Sequence, residues 1–197
     1  NKKVEQQKII YTLNEKEKTA CIIGNNSIEG KIQISRSIMH ETEEYIITSI
    51  SVNSFDSSKI ESIEFSSNSE IRTIGPHAFS NSSIQSITIP SHLIKIDEYA
   101  FDNCEELKEV QIPIDSNLQT IEKYAFQYTS IEKFTIPSNL IELNEGWCYQ
   151  TKYLKSINVS PNNPRYKIYD DQMIIGKSSL ESNNYDFLVI YFENNEN

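Results

Sequence analysis

Glycine, histidine, cysteine and tryptophan are all scarce in this chain, and each shortage removes a class of chemistry. Five glycines in 197 residues leave no material for a phosphate-cradling loop, and neither a Gly-x-Ser-x-Gly elbow nor a His-Glu-x-x-His pattern appears. The three cysteines, Cys21, Cys104 and Cys148, are odd in number and widely separated. No Cys-x-x-Cys or Cys/His pair stands at ligand spacing, which excludes a disulfide framework and a zinc site. Positive charge is also short: 18 Lys and Arg face 28 Asp and Glu, a net of −10. That balance argues against nucleic acid, whose phosphates reward clustered cations, and against an anionic membrane surface. Long apolar runs are missing too; the longest near the end, residues 187–192, is far too short to cross a bilayer. The chain opens on Asn1 without a basic or apolar leader, and reads as a mature product or a cut piece of a longer one.

What the chain has in abundance is repetition. Ile60, Ile63 and Phe65 stand in an apolar-x-x-apolar-x-apolar phrase. It returns at Ile84, Ile87 and Ile89, at Leu107, Val110 and Ile112, at Ile131, Phe134 and Ile136, and at Leu154, Ile157 and Val159. The first residues of these phrases lie 24, 23, 24 and 23 positions apart. A second phrase, apolar-x-x-Ile followed by Ala-Phe, recurs between them: Ile71, Ile74, Ala78 and Phe79; Leu93, Ile96, Ala100 and Phe101; Leu118, Ile121, Ala125 and Phe126. Earlier and later copies end in Ser54-Phe55 and Trp147-Cys148. A period in the low twenties with this core is that of a leucine-rich-repeat solenoid. The reading is a right-handed α/β solenoid, strand-rich with short helical turns and β-rich terminal caps. Residues 1–45 form an N-terminal cap, 46–160 the repeat array, and 161–197 a C-terminal cap with a hairpin.

Each rung can be built from its residues. In the phrase around Ile87, the period-2 pair Ile87 and Ile89 points inward while Ser86 and Thr88 point out. Pro90, Pro113 and Pro137 follow three such strands directly; lacking an N–H, proline stops the ladder and lets the chain turn. Asp97 and Asn144 stand where a short helical turn wants an N-cap. The polar residues 1–8 are expected to fray. Strands are expected over 9–13, 19–23 and 28–34, with a hairpin across 166–175 and a last strand over 185–192.

The candidate reactive residues have structural readings. His77 occupies the slot held by Tyr99, Tyr124 and Gly146, and His92 shares a turn slot with Asn117 and Asn139. Slots tolerant of such different side chains are filler rather than catalytic. His40 is a loop residue. Cys104 closes a turn, and Cys148 falls in the slot of Phe101 and Phe126, where it is expected to be buried and inert. The acidic groups at Glu41, Glu43 and Glu44, at Glu105 and Glu106, and at Asp170 and Asp171 lack the calcium-loop pattern and read as solvated surface. Asn25, Asn81 and Asn158 open glycosylation sequons. No catalytic, cofactor or metal residue is assigned, and the chain is read as a non-enzyme.

The positive candidate is the outward face of the strands. Stacked about 4.8 Å apart, it presents Ser86, Thr88, Glu109, Gln111, Lys133, Thr135, Ser156 and Asn158 as ligand-binding candidates. Such a face on a solenoid is a broad platform, though it lacks the Trp, Tyr and Arg anchors that dominate interfaces. The phrases Ile87-Thr-Ile-Pro90, Ile96 through Ala100-Phe101 to Cys104, and Ile121 through Ala125-Phe126 resemble the BspA-like leucine-rich repeats of bacterial and parasitic-protist surface proteins. The resemblance covers residues 46–159 well. Trp147-Cys148 in place of Ala-Phe, and Ser66 in place of proline, depart from it toward the ends. It implies a cell-surface or secreted binding protein acting in adhesion to host or microbial surfaces, with a protein or glycan ligand. The alternative is a cytoplasmic scaffold binding another protein.

Overall fold

A computed structural model describes residues 2–170 and 173–191. Asp171, half of one acidic pair, and Phe192, the end of the anticipated last strand, lie outside the described residues.

The first repeated phrase forms a parallel ladder. Strands Glu29–Ile34, Lys59–Phe65, Ser86–Thr88 and Glu109–Gln111 make one four-stranded sheet, and Lys133–Ile136 with Ser156–Val159 make a two-stranded one. Ile32, Ile63, Ile87 and Val110 stand in register, as do Phe134 and Ile157. All six are buried, and their neighbours along each strand turn out to solvent, as period-2 alternation requires.

The second phrase contributes a ladder of its own. Thr73–Ile74, Lys95–Ile96, Thr120–Ile121 and Glu142–Leu143 are two-residue strands that continue a parallel sheet from Glu43–Ile50. Ile50, Ile74, Ile96, Ile121 and Leu143 form its column.

The short helical turns expected after this phrase are absent: among the described residues there is no helix. The backbone amides explain the difference. In the third copy, the N–H groups of Tyr99, Phe101 and Asn103 donate to Lys123, Ala125 and Gln127 of the next rung, at 3.2, 2.8 and 3.1 Å. The intervening Ala100, Asp102 and Cys104 donate locally to Asp97, Tyr99 and Phe101. A helix would bond every amide within its own segment and leave none for the neighbouring rung. The alternation is set by left-handed residues four apart, Tyr99 at φ 57° and Asn103 at φ 56°, as in His77 and Asn81, and Tyr124 and Tyr128. Asp97 does not act as a side-chain cap; its carboxylate pairs with Lys95 at 3.1 Å.

Phenylalanine fills the centre. Phe55, Phe79, Phe101 and Phe126 are fully buried and stack face to face at 5.2, 5.0 and 5.0 Å. The column ends at the fifth copy, where the Phe126 N–H donates to Trp147 O as the Phe79 N–H donates to Ala100 O. Trp147 thus holds the alanine slot and Cys148 the phenylalanine slot. The indole is buried, packed edge-on to Phe126 at 6.4 Å and tilted against Phe134 at 4.6 Å. Cys148, expected to be buried, is only half-buried.

Residues 2–6, expected to fray, form strand Lys2–Gln6, antiparallel to Ile9–Asn14, which pairs in turn with Thr19–Asn25. The connecting residues Gln7 and Lys8 both have positive φ, 51° and 63°. That is the geometry of a two-residue type I′ hairpin, built without the Asn or Gly that usually announces one. At the other end, Tyr166–Tyr169, Met173–Gly176 and Phe187–Tyr191 form an antiparallel sheet. Asn163 fastens it to the coil. Its amide nitrogen donates to Pro137 O and Leu140 O at 2.7 and 2.9 Å, and its oxygen accepts from Arg165 and Tyr166 N–H. The Tyr166 hydroxyl accepts from Leu143 N–H at 3.0 Å and donates to Ile141 O, taking the place of a further rung.

Candidate binding face and its surroundings

The outward-pointing residues of the first ladder fall into the two anticipated columns. Ser62, Ser86 and Glu109 are in register, Thr88 lies beside Gln111, and across the second sheet Lys133 pairs with Ser156 and Thr135 with Asn158. Between Glu109–Gln111 and Lys133–Ile136 the hydrogen-bonded ladder is interrupted, which is why the strands divide into two sheets. A groove of about 660 Å³ opens at this seam. Thr88, Glu109, Gln111, Lys133, Thr135 and Asn158 line it, whereas Ser86 and Ser156 lie just outside.

The groove also takes in Lys108 and Glu132, which sequence reading passed over because they precede the alternating strand positions. Gln111 donates to Glu109 at 2.7 Å, and Thr88 to Gln111 at 3.4 Å. Glu132 is paired with Lys155 at 3.1 Å. Among the described residues Lys108 and Lys133 make no ion pair, so two cations and the Glu109 carboxylate face the groove with bonding capacity to spare. The arrangement suits reversible polar contact; it contains no nucleophile activated by a base.

The three histidines lie apart. His77 stacks on Tyr99 with ring centroids 4.9 Å apart, and its Nδ1 lies 3.1 Å from Ser80 Oγ. Ser80 is buried and directs its hydroxyl proton to Tyr99 O at 2.9 Å, so the imidazole does not receive it. His92 Nδ1 bonds Ser69 O at 3.0 Å, the same rung-to-rung contact that Asn139 makes to Ser116 O at 2.7 Å. His40 lies 3.5 Å from Glu41. Burial pushes the Cys104 thiol up to about 12, against hydrogen bonding from Ser82, and pushes Cys148 up to about 12 as well.

Glu41, Glu43 and Glu44 each meet a separate cation, Lys2, Lys18 and Arg36. Among the described residues no group of three or more His, Cys, Asp or Glu can hold a metal. Among them, too, no helix is long and apolar enough to cross a membrane. Of the sequon asparagines, Asn25 spends its amide on Ser54 O at 2.9 Å and Asn81 on Asp56 at 3.2 Å, while Asn158 is exposed on the strand face.

Comparison with known proteins agrees with this geometry. The BspA type leucine rich repeat region matches residues 48–171 in six copies. The crystal structure of the pneumococcal vaccine antigen PcpA superposes with a TM-score of 0.72 at 20% identity, over 89% of this chain and 54% of that one. A leucine-rich repeat protein from Bacteroides ovatus gives 0.71 at 22%, over 80% and 41%. A leucine rich cell surface protein from Faecalibacterium prausnitzii gives 0.51 at 17%, over 91% and 59%. At these identities the likeness is one of fold, and the chain spans about half the length of these structures. No curated protein matches the sequence. The six matched copies, in the register that the two ladders display, place this chain in the BspA-type leucine-rich-repeat family.

Proposed function

We propose that this chain is a non-enzymatic binding module of a cell-surface or secreted protein. It engages a protein or glycan on host or microbial surfaces, and so serves adhesion. The groove at the ladder seam carries the reading, because six of the eight candidate residues converge there with Lys108 and Lys133 unpaired among the described residues. In this reading residues 1–45 and 161–197 cap a right-handed coil. The surface assignment draws support from the neighbours: one is a vaccine antigen and another a cell surface protein. The net charge of −10 favours protein or neutral glycan over nucleic acid or anionic lipid.

The contacts are polar and shallow, so affinity is built from several rungs acting together. Replacing Glu109, Gln111, Lys133 and Thr135 together by alanine tests this, since all four face outward. Binding to immobilised extracellular-matrix proteins and cell-surface glycans should fall by about tenfold or more, the equivalent of one to two good polar contacts, with an unchanged melting curve. Undiminished binding by the quadruple variant would refute the placement.

A further inference from the structure

A second concave site lies in the turns on another part of the coil, sharing no residue with the seam groove. Its origin is visible in the lengths of the turns. From the core residue of the second phrase to the first of the next, Phe101 to Leu107 and Cys148 to Leu154 are six steps, while Phe126 to Ile131, between them, is five. The shorter turn recedes between its longer neighbours and leaves a recess of about 420 Å³, within the ~300–1,000 Å³ usual for ligand sites. Glu105 comes from one flanking turn, Gln150, Lys152 and Tyr153 from the other, and Tyr128 and Ser130 from the short turn itself.

Three observations mark this recess. Tyr128 and Tyr153 are 45% and 59% exposed, and Tyr149, 50% exposed, meets Tyr128 edge-on at 6.1 Å; this is the aromatic material that the strand face lacks. Tyr128 is also held at φ 53°. The equivalent left-handed positions in other rungs are Ser57, Asn81, Asn103 and Gln150, so a bulky ring is here kept in a conformation that favours Asn or Gly. The left-handed backbone belongs to the coil, as at Tyr99 and Tyr124, so what is particular to this rung is an aromatic ring where the equivalent positions carry Ser, Asn or Gln. Finally, Glu105 and Lys152 line the same recess without forming an ion pair among the described residues, and no side-chain hydrogen bond occupies Gln150.

We propose that this recess binds a pyranose unit of a neutral glycan. The electropositive C–H face of a sugar ring lies against the electron-rich face of a tyrosine. Its hydroxyls donate to the Glu105 carboxylate and accept from the Lys152 ammonium and the Gln150 amide. The opposed charges of Glu105 and Lys152 leave the lining neutral, which disfavours a cationic peptide despite the tyrosines and the acidity of the chain. The site stands independently of the seam groove.

The test is ligand-observed and tyrosine-ring NMR on the whole chain with maltohexaose, cellohexaose, xylohexaose and mannohexaose at millimolar concentration. At least one should show saturation transfer and shift the Tyr128 and Tyr153 ring resonances. Tyr128→Asn suits the left-handed backbone and removes only the ring; it should weaken binding by roughly fivefold, the loss of one aromatic contact. Tyr128→Phe should stay within about twofold of the parent on the same scale. Tyr128 and Tyr153 line this recess and not the seam groove, so shifts of their rings separate binding here from binding there. The proposal is overturned if none of the four sugars shifts either ring, if Tyr128→Asn binds as the parent does, or if a tetra-arginine peptide occupies the recess and the sugars do not.

Discussion

Phe101 is shared by two rungs. It is fully buried and stacks at 5.0 Å on both Phe79 and Phe126, so its ring belongs to the interface between repeats more than to its own. Phe101→Ala should cost about 3–5 kcal/mol, the range for deleting a core aromatic, and loosen both neighbouring turns. A denaturant midpoint equal to that of the parent would remove it from the core. At this scale much was legible, because burial follows from slot: Ile63, Ile87, Val110, Phe134 and Ile157 are all inside. Trp147 and Cys148 were harder to read. Their slots were evident, but an indole in an alanine slot fits only by packing across Phe126 and Phe134, and residue type alone does not specify that contact.

The individual elements are too short to stand alone. Strands of two residues such as Lys95–Ile96 survive because a strand pairs them on both sides, while the last, Glu142–Leu143, has a strand on one side and the Tyr166 hydroxyl beyond it, and no rung buries its own apolar face. The ends therefore need dedicated partners. Asn163, 7% exposed, makes four hydrogen bonds that tie the C-terminal sheet to the last rung. Asn163→Ala leaves Leu140 O and the amides of Arg165 and Tyr166 unpaired, and leaves Pro137 O with only its bond from Leu140 N–H, and should cost on the order of 3 kcal/mol. Limited proteolysis should then cut first within residues 161–191, ahead of the rungs; an unchanged cleavage pattern would show that Asn163 is not the anchor. The hairpin across 166–175 was readable from its alternation. The strand at Lys2–Gln6 was not, because its turn, Gln7 and Lys8, has left-handed geometry without the usual residues.

The molecule as a whole keeps several weak acids neutral. Burial pushes Tyr11, Cys104 and Cys148 each up to about 12, whereas in the unfolded chain the thiols ionise near 9.0 and the phenol near 10.0. Folded values above unfolded ones mean that this stability is fully present below about pH 9 and is lost as pH climbs toward 12. The urea midpoint should therefore drop between about pH 8.5 and 11, and Cys104→Ala should shallow the decline. A midpoint that holds constant across that interval would contradict the burial of Tyr11 and Cys104. The amino-acid sequence by itself determined the period, the identity of the inward columns and the outward rows, because a repeat of fixed length and an alternation of period two are local properties. Tertiary structure alone decided two things: that the turns are not helical, and where the strand ladder parts. Each depends on what the adjacent rung offers to an amide or a side chain, and that partner lies more than twenty residues away along the chain.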